Sequence, residues 1–201
     1  MKAMKRAELI RQFSLISPGQ YQSESLLRVA HLKQPSLRKA AVLIPCIDRP
    51  DGIHVLFTKR ASHLKHHAGE ISFPGGKYEL SDHSLSETAL RETEEEIGLL
   101  PDTIKLLGQL PELVTISQFE ITPFVAIINN NPQCILDPNE VDSIFEVPAS
   151  YLFNPRNLHT TNMMISGIGH QIYSVSYQKH FIWGVTAQII QALQKQLQIK
   201  T

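Results

Sequence analysis

The sequence marks both ends of one helix more clearly than those of any other element. Ser84 followed by Glu87 has the spacing of a capping box, and Gly98 followed by Pro101 is typical of a helix end. These signals predict a helix over Leu85–Ile97. On a helical wheel of roughly 100° per residue, its apolar side chains fall on a different face from most of its glutamates. Such a helix can pack against a sheet with one face and present carboxylates with the other.

The helix is acidic where a helix is least suited to carry acids. Glu92, Glu95 and Glu96 share the face that does not pack against the sheet, which we call the acidic face, whereas Glu94 lies on the far side of the helix. Carboxylates in the last turn oppose the helix macrodipole, and Glu92 and Glu96 are a like-charged i,i+4 pair; each effect costs on the order of 0.3 to 1 kcal/mol. The predicted packing stripe comprises Ala89, Leu90, Thr93, Ile97 and Leu100.

A bound divalent cation would remove this conflict. Mg²⁺ and Mn²⁺ prefer carboxylate oxygens and also bridge the phosphate oxygens of a substrate. Arg91 can pair with Glu87 or Glu95 one turn away, which would orient one carboxylate and leave the others for metal. The alternative is a solvated acidic face, because most runs of charge are no more than that.

A glycine turn precedes the helix. Phe73 and Pro74 lead into Gly75 and Gly76, where the missing side chains let the backbone approach a ligand closely. A carbonyl or amide group of this turn could therefore reach a metal or a phosphate. A glycine pair is weak evidence by itself, since turns use it widely. Its position ahead of the acidic helix favours a site for a diphosphate and its cations.

The rest of the pattern predicts mainly strands. Residues 40–47 and 53–59 form a predicted hairpin, because turn-forming residues separate two apolar runs. Residues 61–76 are a predicted long loop with at most a short strand at 71–73. We expect further strands at 104–110, 113–116, 120–128, 141–147, 163–165 and 171–177, a turn at 129–132, a helical turn at 148–153, and helices at 4–15 and 185–198. One mixed sheet covered by these helices gives an α/β fold with α/β/α layers.

Composition and charge limit the partners. The 201 residues include 19 basic and 19 acidic side chains, so no net field draws the chain to nucleic acid or anionic lipid, and we expect a small-molecule substrate. The longest apolar runs, at 40–47 and 123–128, are too short for a membrane-spanning helix. At the N-terminus, Glu8, Arg11 and Gln12 interrupt the apolar residues, which argues against a signal peptide. We predict an N-terminal helix and lead-in over 1–38 and a single domain over 39–201.

The two cysteines bear on the compartment. Cys46 and Cys134 both lie in apolar, strand-like stretches, which is typical of buried reduced thiols in a cytoplasmic protein. A disulfide is the less favoured interpretation. The sequence does not fix the oligomeric state and is compatible with a homodimer.

Gly76 and residues 91–99 together resemble the Nudix box, which is written G-x5-E-x7-R-E-U-x-E-E-x-G-U with U apolar. The second half matches at every fixed position except Thr93, where an apolar residue is expected. The first half departs from the pattern, because Asp82 replaces the early glutamate and the spacing to the arginine is one residue longer.

The lengthened box is similar to that of one subfamily, the coenzyme A diphosphatases. That subfamily carries the pattern L-L-T-x-R-S-x-x-L-R-x-H-x-G-x-x-x-F-P-G-G ahead of the box, and residues 56–76 resemble it. Ala61 stands where serine is usual. Lys65 stands where arginine is usual, which keeps the charge but loses the bidentate geometry towards a phosphate. The resemblance extends from about residue 40 to residues 181–184.

The resemblance implies a Nudix-type α/β/α sandwich that hydrolyses the diphosphate of coenzyme A or a derivative to 3',5'-ADP and 4'-phosphopantetheine. It also implies Mg²⁺ or Mn²⁺ as cofactor. One alternative is a Nudix pyrophosphatase for ADP-ribose, nucleotide sugars or other nucleoside diphosphate derivatives. The other is a binding module that keeps the fold without turnover, although such a module would be expected to lose acid-face carboxylates and none is missing here.

The resemblance also implies roles for individual residues. We expect Glu92 and Glu96 to be catalytic residues and the main metal ligands, with Glu95 and Gly76 as further ligands. The general base lies either in the box or in a later loop at Glu140, where a plain surface acid is the alternative. Structural positions of the motif are Arg91 and Gly98, and candidates for substrate binding are Arg60, Lys65, His67, Gly75 and Gly76.

Three loop histidines raise the question of zinc. His63, His66 and His67 lie close together in sequence, but no acid or cysteine stands at ligand spacing to complete a closed site. We therefore expect loop histidines that form local hydrogen bonds.

Overall fold

The computed structural model describes residues 3–14, 37–129, 131–165 and 168–197. Most of the predicted lead-in therefore lies outside the described residues, and its separation from a domain over 39–201 stays a prediction. The described elements are α1 (Arg6–Ser14), β1 (Arg38–Arg49), β2 (Gly52–Arg60), β3 (Ile71–Ser72), β4 (Gly75–Lys77), α2 (Leu85–Ile97), β5 (Ile104–Gln109), β6 (Leu113–Val114), β7 (Phe119–Ile128), β8 (Val141–Pro148), α3 (Ala149–Leu152), β9 (Leu158–Ile165), β10 (Ile168–Tyr177), β11 (His180–Trp183) and α4 (Gly184–Gln196).

The larger sheet is mixed, as predicted. Its central path runs β3-β2-β1-β7-β5, while β4 pairs with β1, β6 with β7 and β8 with β2. Strands β1 and β7 are parallel, from Arg38 opposite Phe119 to Ile47 opposite Ile128. The other pairings in this sheet are antiparallel.

Successive side chains of β1 point to opposite faces of the sheet and so define the layers. Ala41 and Leu43 lie in one cluster with Ala89 of α2. Ile44 lies in the large cluster that holds Leu9 of α1 and the apolar side of α4. Helix α2 therefore covers one face, whereas α1 and α4 cover the other, and the predicted α/β/α layering is confirmed.

The predicted hairpin of β1 and β2 is also confirmed, and it closes where Arg49 pairs with Gly52. Gly52 has φ of 136°, and a side chain there would stand 2.9 Å from the Met4 carbonyl oxygen, so this position needs glycine. The Ile53 N–H donates to the same carbonyl at 2.8 Å. The segment before α1 is thus fastened to the sheet.

Helix α2 has the predicted bounds and caps. The Ser84 side chain accepts a hydrogen bond from the Glu87 N–H at 3.2 Å. The Glu87 carboxylate accepts from the His83 N–H at 2.7 Å, one residue ahead of the cap. At the other end Gly98 adopts the left-handed conformation with φ of 68°.

The predicted packing stripe of α2 is right except at its last member. Ala89, Thr93 and Ile97 are buried, and Leu90 is partly buried. The prediction for Leu100 was wrong, since its side chain is 52% exposed. The left-handed turn that ends α2 redirects the chain before this residue, so the helical wheel no longer applies to it.

Several strand predictions need correction. The glycine turn forms β4, in which Gly76 pairs with Ala41; the sequence did not predict this, because glycine is a poor strand former. Strand β6 is shorter than the predicted 113–116, and β9 begins at Leu158 rather than 163. Strand β11 was missed altogether.

A second sheet in the order β11-β10-β9 leads into α4. The Thr186 hydroxyl donates to the Ile71 carbonyl at 3.0 Å, which ties α4 to β3. Among the described helices, none has the length and apolar character needed to span a membrane.

Both cysteines are free thiols, as predicted. Cys46 is buried, whereas Cys134 is only partly so. Burial raises the pKa of each thiol, which keeps it protonated and unreactive near neutral pH.

Candidate active site

The glycine turn is held rigidly against β1. Gly75 pairs with Val42, and a side chain at Gly75, whose φ is 150°, would overlap the Ala41 carbonyl. The Leu43 N–H donates to the Pro74 carbonyl at 2.9 Å just before the turn. These contacts fix the direction of the Gly75 amide, which points to the acidic face of α2.

Glu96 is the most buried carboxylate of that face. Its side chain is 3% exposed, and its Oε2 accepts a hydrogen bond from the Gly75 N–H at 3.3 Å. Its Oε1 lies 3.8 Å from Nη1 of Arg60. Burial raises the pKa of Glu96 to about 8, although Gly75 and Arg60 both act in the opposite direction.

Glu92 lies beside the second glycine of the turn. A Cβ atom at Gly76 would overlap the Glu92 carboxylate, so only glycine leaves room for this group. Arg91 Nη1 donates to Glu92 Oε1 at 3.1 Å. Burial still raises the pKa of Glu92, and the charges of Glu95 and Glu140 add to the increase.

Glu95 differs from its two neighbours on the acidic face. Its side chain is 57% exposed, and its Oε2 accepts from Arg91 Nη1 at 2.9 Å. The predicted partner Glu87 instead binds His83. Glu94 is exposed, as its place on the wheel predicted.

Arg91 makes a contact that the sequence did not predict. Its Nε and Nη2 donate to the two carboxylate oxygens of Asp82 at 2.9 and 3.1 Å, and Nη2 also donates to the Lys77 carbonyl at 3.1 Å. The pair was not predicted because the spacing between Asp82 and Arg91 is one residue longer than in the box. Asp82, which stands in place of the early glutamate of the box, therefore forms an ion pair with the arginine of the motif.

The loop before β8 completes the C-terminal end of α2. The Ile135 N–H donates to the Ile97 carbonyl at 2.8 Å, and the Asp137 N–H donates to the Glu96 carbonyl at 3.0 Å. A side chain at Gly98 would stand 2.8 Å from the Ile135 carbonyl oxygen. The structural part predicted for Gly98 therefore includes docking this loop.

The docked loop carries Glu140 to the acidic face. Its N–H donates to the Asp137 carbonyl at 3.1 Å, and its own carbonyl accepts from the Ala61 N–H at 2.8 Å. Glu140 is exposed, yet its charge raises the pKa of both Glu92 and Glu96. The structure thus brings this predicted residue together with the two main carboxylates.

Arg60 stands at the base of the loop over 61–70. The pairing register shifts between Lys59 and Arg60. The Arg60 N–H donates to the Glu70 carbonyl at 2.9 Å, and the Gly69 N–H donates to the Arg60 carbonyl at 3.2 Å. The Arg60 Nε atom is buried and has no hydrogen-bond partner among the described residues.

The other substrate-binding candidates lie on the surface of this loop. Lys65 is exposed. His67 has φ of 56°, and its Nδ1 lies 2.9 Å from Glu70 Oε2, the local hydrogen bond that we expected for a loop histidine. His63 and His66 are exposed, and the three histidines form no metal cluster in the described part of the chain.

The model of the NUDIX domain family matches residues 37–161, which is more than half of the chain. The chain belongs to the Nudix family. The match covers β1, the glycine turn, α2 and the loop that carries Glu140. The Nudix fold expected from the sequence is thereby confirmed.

Relatives match over nearly the whole Nudix chain. The "Uncharacterized Nudix hydrolase NudL" of Yersinia pestis (strain Pestoides F) is 38% identical over 193 residues, which cover 96% of this chain and 95% of the relative. A protein of the same name from Yersinia pseudotuberculosis (strain IP 31758) has the same identity and coverage. The chain is accordingly a Nudix pyrophosphohydrolase.

Solved Nudix structures are more distant. A Nudix hydrolase from M. smegmatis is 20% identical with a TM-score of 0.48, covering 56% of this chain and 71% of that one. A MutT/nudix family protein from Enterococcus faecalis is 14% identical with a TM-score of 0.48, covering 94% and 72%.

Nudix hydrolases act on nucleoside diphosphate derivatives and need divalent cations such as Mg²⁺ or Mn²⁺. Glu92, Glu95 and Glu96 offer the oxygen ligands that such cations prefer, and positive charge would relieve the effect of burial on Glu92 and Glu96. The described residues contain no complete cage of three or more His, Cys, Asp or Glu side chains. Mg²⁺ is commonly held by one or two carboxylates together with water and substrate phosphates, so the donor set fits.

Proposed function

We propose that this Nudix enzyme hydrolyses the diphosphate of coenzyme A or a derivative to 3',5'-ADP and 4'-phosphopantetheine. The observation that carries the proposal is the anchoring of the coenzyme A-type loop beside the acidic face. Gly69 and Glu70, at the far end of the loop, hydrogen-bond to the backbone of Arg60, the residue that precedes the loop, and the near end is bonded at Ala61 to the Glu140 carbonyl. The Arg60 side chain lies 3.8 Å from Glu96. The residues that resemble the subfamily pattern therefore border the acidic face of α2.

We assign the cation to Glu92 and Glu96, with Glu95 and the Gly76 carbonyl as further ligands. A bound Mg²⁺ or Mn²⁺ supplies positive charge for the phosphate oxygens and favours hydroxide over water near neutral pH. Because Gly76 has no side chain, the Glu92 carboxylate can lie directly beside it. Asp82 orients Arg91, which in turn holds Glu92 and Glu95.

Glu140 is the proposed general base. A carboxylate oxygen of Glu140 would accept the proton of the attacking water, since the side chain is exposed and its backbone is anchored at Asp137 and Ala61. No hydrogen bond or ion pair engages this carboxylate within the described chain. Arg60 and Lys65 would bind phosphate oxygens, and His67 would shape the loop through Glu70.

Product analysis tests the substrate assignment. The purified enzyme is incubated with coenzyme A, ADP-ribose, a nucleotide sugar and a dinucleotide in the presence of Mg²⁺ or Mn²⁺, and the products are separated and weighed by mass spectrometry. We expect 3',5'-ADP and 4'-phosphopantetheine from coenzyme A at the highest kcat/KM. A clear preference for ADP-ribose would overturn the assignment.

A matched pair of substrates isolates the 3'-phosphate. Coenzyme A and dephospho-coenzyme A differ only in that group, so Lys65→Gln should lower kcat/KM for coenzyme A more than for the dephospho form. An equal loss for both would remove Lys65 from phosphate recognition.

The two free thiols agree with the cytoplasmic location that we propose.

A further inference from the structure

The two oxygens of the Glu96 carboxylate have different partners. Oε2 accepts from the Gly75 amide at 3.3 Å, and Oε1 faces Nη1 of Arg60 at 3.8 Å. The side chain is almost fully buried, so little water can replace either partner. A cation that binds this carboxylate must therefore take an oxygen that a protein group already faces.

Only one of these partners can move away. The Gly75 backbone is fixed by pairing with Val42 and by its close approach to the Ala41 carbonyl. The Arg60 guanidinium stands at the end of a long side chain that is 28% exposed. The oxygen that faces Arg60 is thus the one that can be given to a cation.

Arg60 is also poorly satisfied where it stands. Its Nε is buried without a hydrogen-bond partner among the described residues, and its distance to Glu96 is longer than a hydrogen bond. A buried donor without a partner is unfavourable. Little binding energy therefore holds the guanidinium beside Glu96, and the positive charge of a bound cation would repel it.

We propose that Arg60 and the divalent cation compete for the same Glu96 oxygen, so that cation binding releases the Arg60 guanidinium towards the phosphates of the substrate. The proposal rests on the assignment of Glu96 as a cation ligand in the proposed function. Arg60 is then a positioning residue that couples cation binding to phosphate binding.

Cation affinity without substrate tests the competition. Mn²⁺ binding to the EDTA-treated enzyme is measured by calorimetry for the wild type, Arg60→Gln and Lys59→Gln. Lys59→Gln is the matched control, because it removes one positive charge from the neighbouring residue, whose side chain pairs with Asp142 instead of Glu96. We expect Arg60→Gln to bind Mn²⁺ on the order of tenfold more tightly, whereas Lys59→Gln matches the wild type. Unchanged or weaker binding by Arg60→Gln would overturn the proposal.

A third variant separates this proposal from the site assignment. If Glu96→Gln binds Mn²⁺ like the wild type, the cation role of Glu96 is wrong and the competition falls with it. If Glu96→Gln loses affinity while Arg60→Gln changes nothing, only the competition is wrong.

The wild-type chain provides a second readout that needs no substitution. Solvent exchange of the Arg60 Nε–H is followed by NMR during a Mg²⁺ titration, with the Arg38 Nε–H as control. Because Arg38 lies over the Phe119 ring and donates to the Ser117 carbonyl instead of facing Glu96, its exchange should not respond. Release predicts faster exchange of the Arg60 proton with Mg²⁺, and slower or constant exchange would contradict it.

Discussion

Asp82 and Arg91 form a two-point ion pair that crosses from the loop before α2 to the middle of the helix. Arg91 Nε and Nη2 bind one carboxylate oxygen each, at 2.9 and 3.1 Å. Asp82 is buried and also accepts from the Thr88 hydroxyl at 2.8 Å and the Glu79 N–H at 3.0 Å. The carboxylate is thus a fixed acceptor from which Arg91 is aimed.

Asp82→Asn should destabilise the fold and weaken catalysis together. The amide keeps the size of the side chain but loses the charge that pairs with Arg91. Because Arg91 is partly exposed and keeps Glu92 and Glu95 as partners, we expect a loss of roughly 1.5 to 3 kcal/mol, the range for a hydrogen bond to a charged group. Urea unfolding measures this loss. The kcat should also fall, because Arg91 holds Glu92 and Glu95. The control Asp102→Asn alters an exposed acid and should change stability by less than about 0.5 kcal/mol; similar losses in both variants would contradict the anchoring role.

The same ion pair predicts a pH dependence. The hydrogen bonds from Arg91 are the main reason why the pKa of Asp82 is far below its usual range. An unfolded aspartate has a pKa of about 3.9, so the pair stabilises the fold fully above that pH, and its contribution is lost as the pH falls towards the lower folded pKa. The stability difference between the wild type and Asp82→Asn should therefore be constant near neutral pH and shrink below about pH 4. Urea unfolding across this range measures it, and an undiminished difference at about pH 3 would refute the explanation.

The sequence was most informative where local chemistry decides the structure. The caps at Ser84 and Gly98 set the ends of α2 correctly, because capping involves only neighbouring residues. The β1–β2 hairpin was correct for the same reason. Strand β4 and the pairing of Gly76 with Ala41 could not be predicted, since this pairing depends on a strand far away in the sequence.

The candidate site shows the same division. The helical wheel placed Glu92 and Glu96 on one face and excluded Glu94, but it could not predict that Glu96 is buried and Glu95 exposed. That difference comes from the glycine turn packing against one side of the face. The ion pair of Asp82 with Arg91 was not predicted, because aspartate replaces the glutamate of the box and the spacing to the arginine is one residue longer.

Gly76→Ala should affect the site more than the fold. A Cβ atom there would overlap the Glu92 carboxylate and displace it from the turn. A misplaced catalytic group can cost about 100-fold in rate, so we expect a fall in kcat of that order. Steady-state kinetics with a fixed Mn²⁺ concentration measure it. The control Gly169→Ala adds the same methyl group with only the Met164 sulfur nearby, at 3.8 Å, and should leave kcat unchanged; normal turnover in Gly76→Ala would remove Glu92 from the site.

Glu96→Gln and Glu94→Gln compare a buried and an exposed glutamate two residues apart on one helix. If Glu96 holds the cation, its amide variant should lose roughly 100- to 1000-fold in kcat, whereas Glu94→Gln should retain normal activity. Thermal unfolding separates this role from a merely structural one. Ligand binding to the folded state raises stability, so Mn²⁺ should raise the Tm of the wild type and of Glu94→Gln but raise that of Glu96→Gln much less. In EDTA the Glu96→Gln variant should be at least as stable as the wild type, because the amide can still accept the Gly75 hydrogen bond without the cost of burying a charge. A large loss of stability in EDTA would instead assign Glu96 to the fold rather than to the cation.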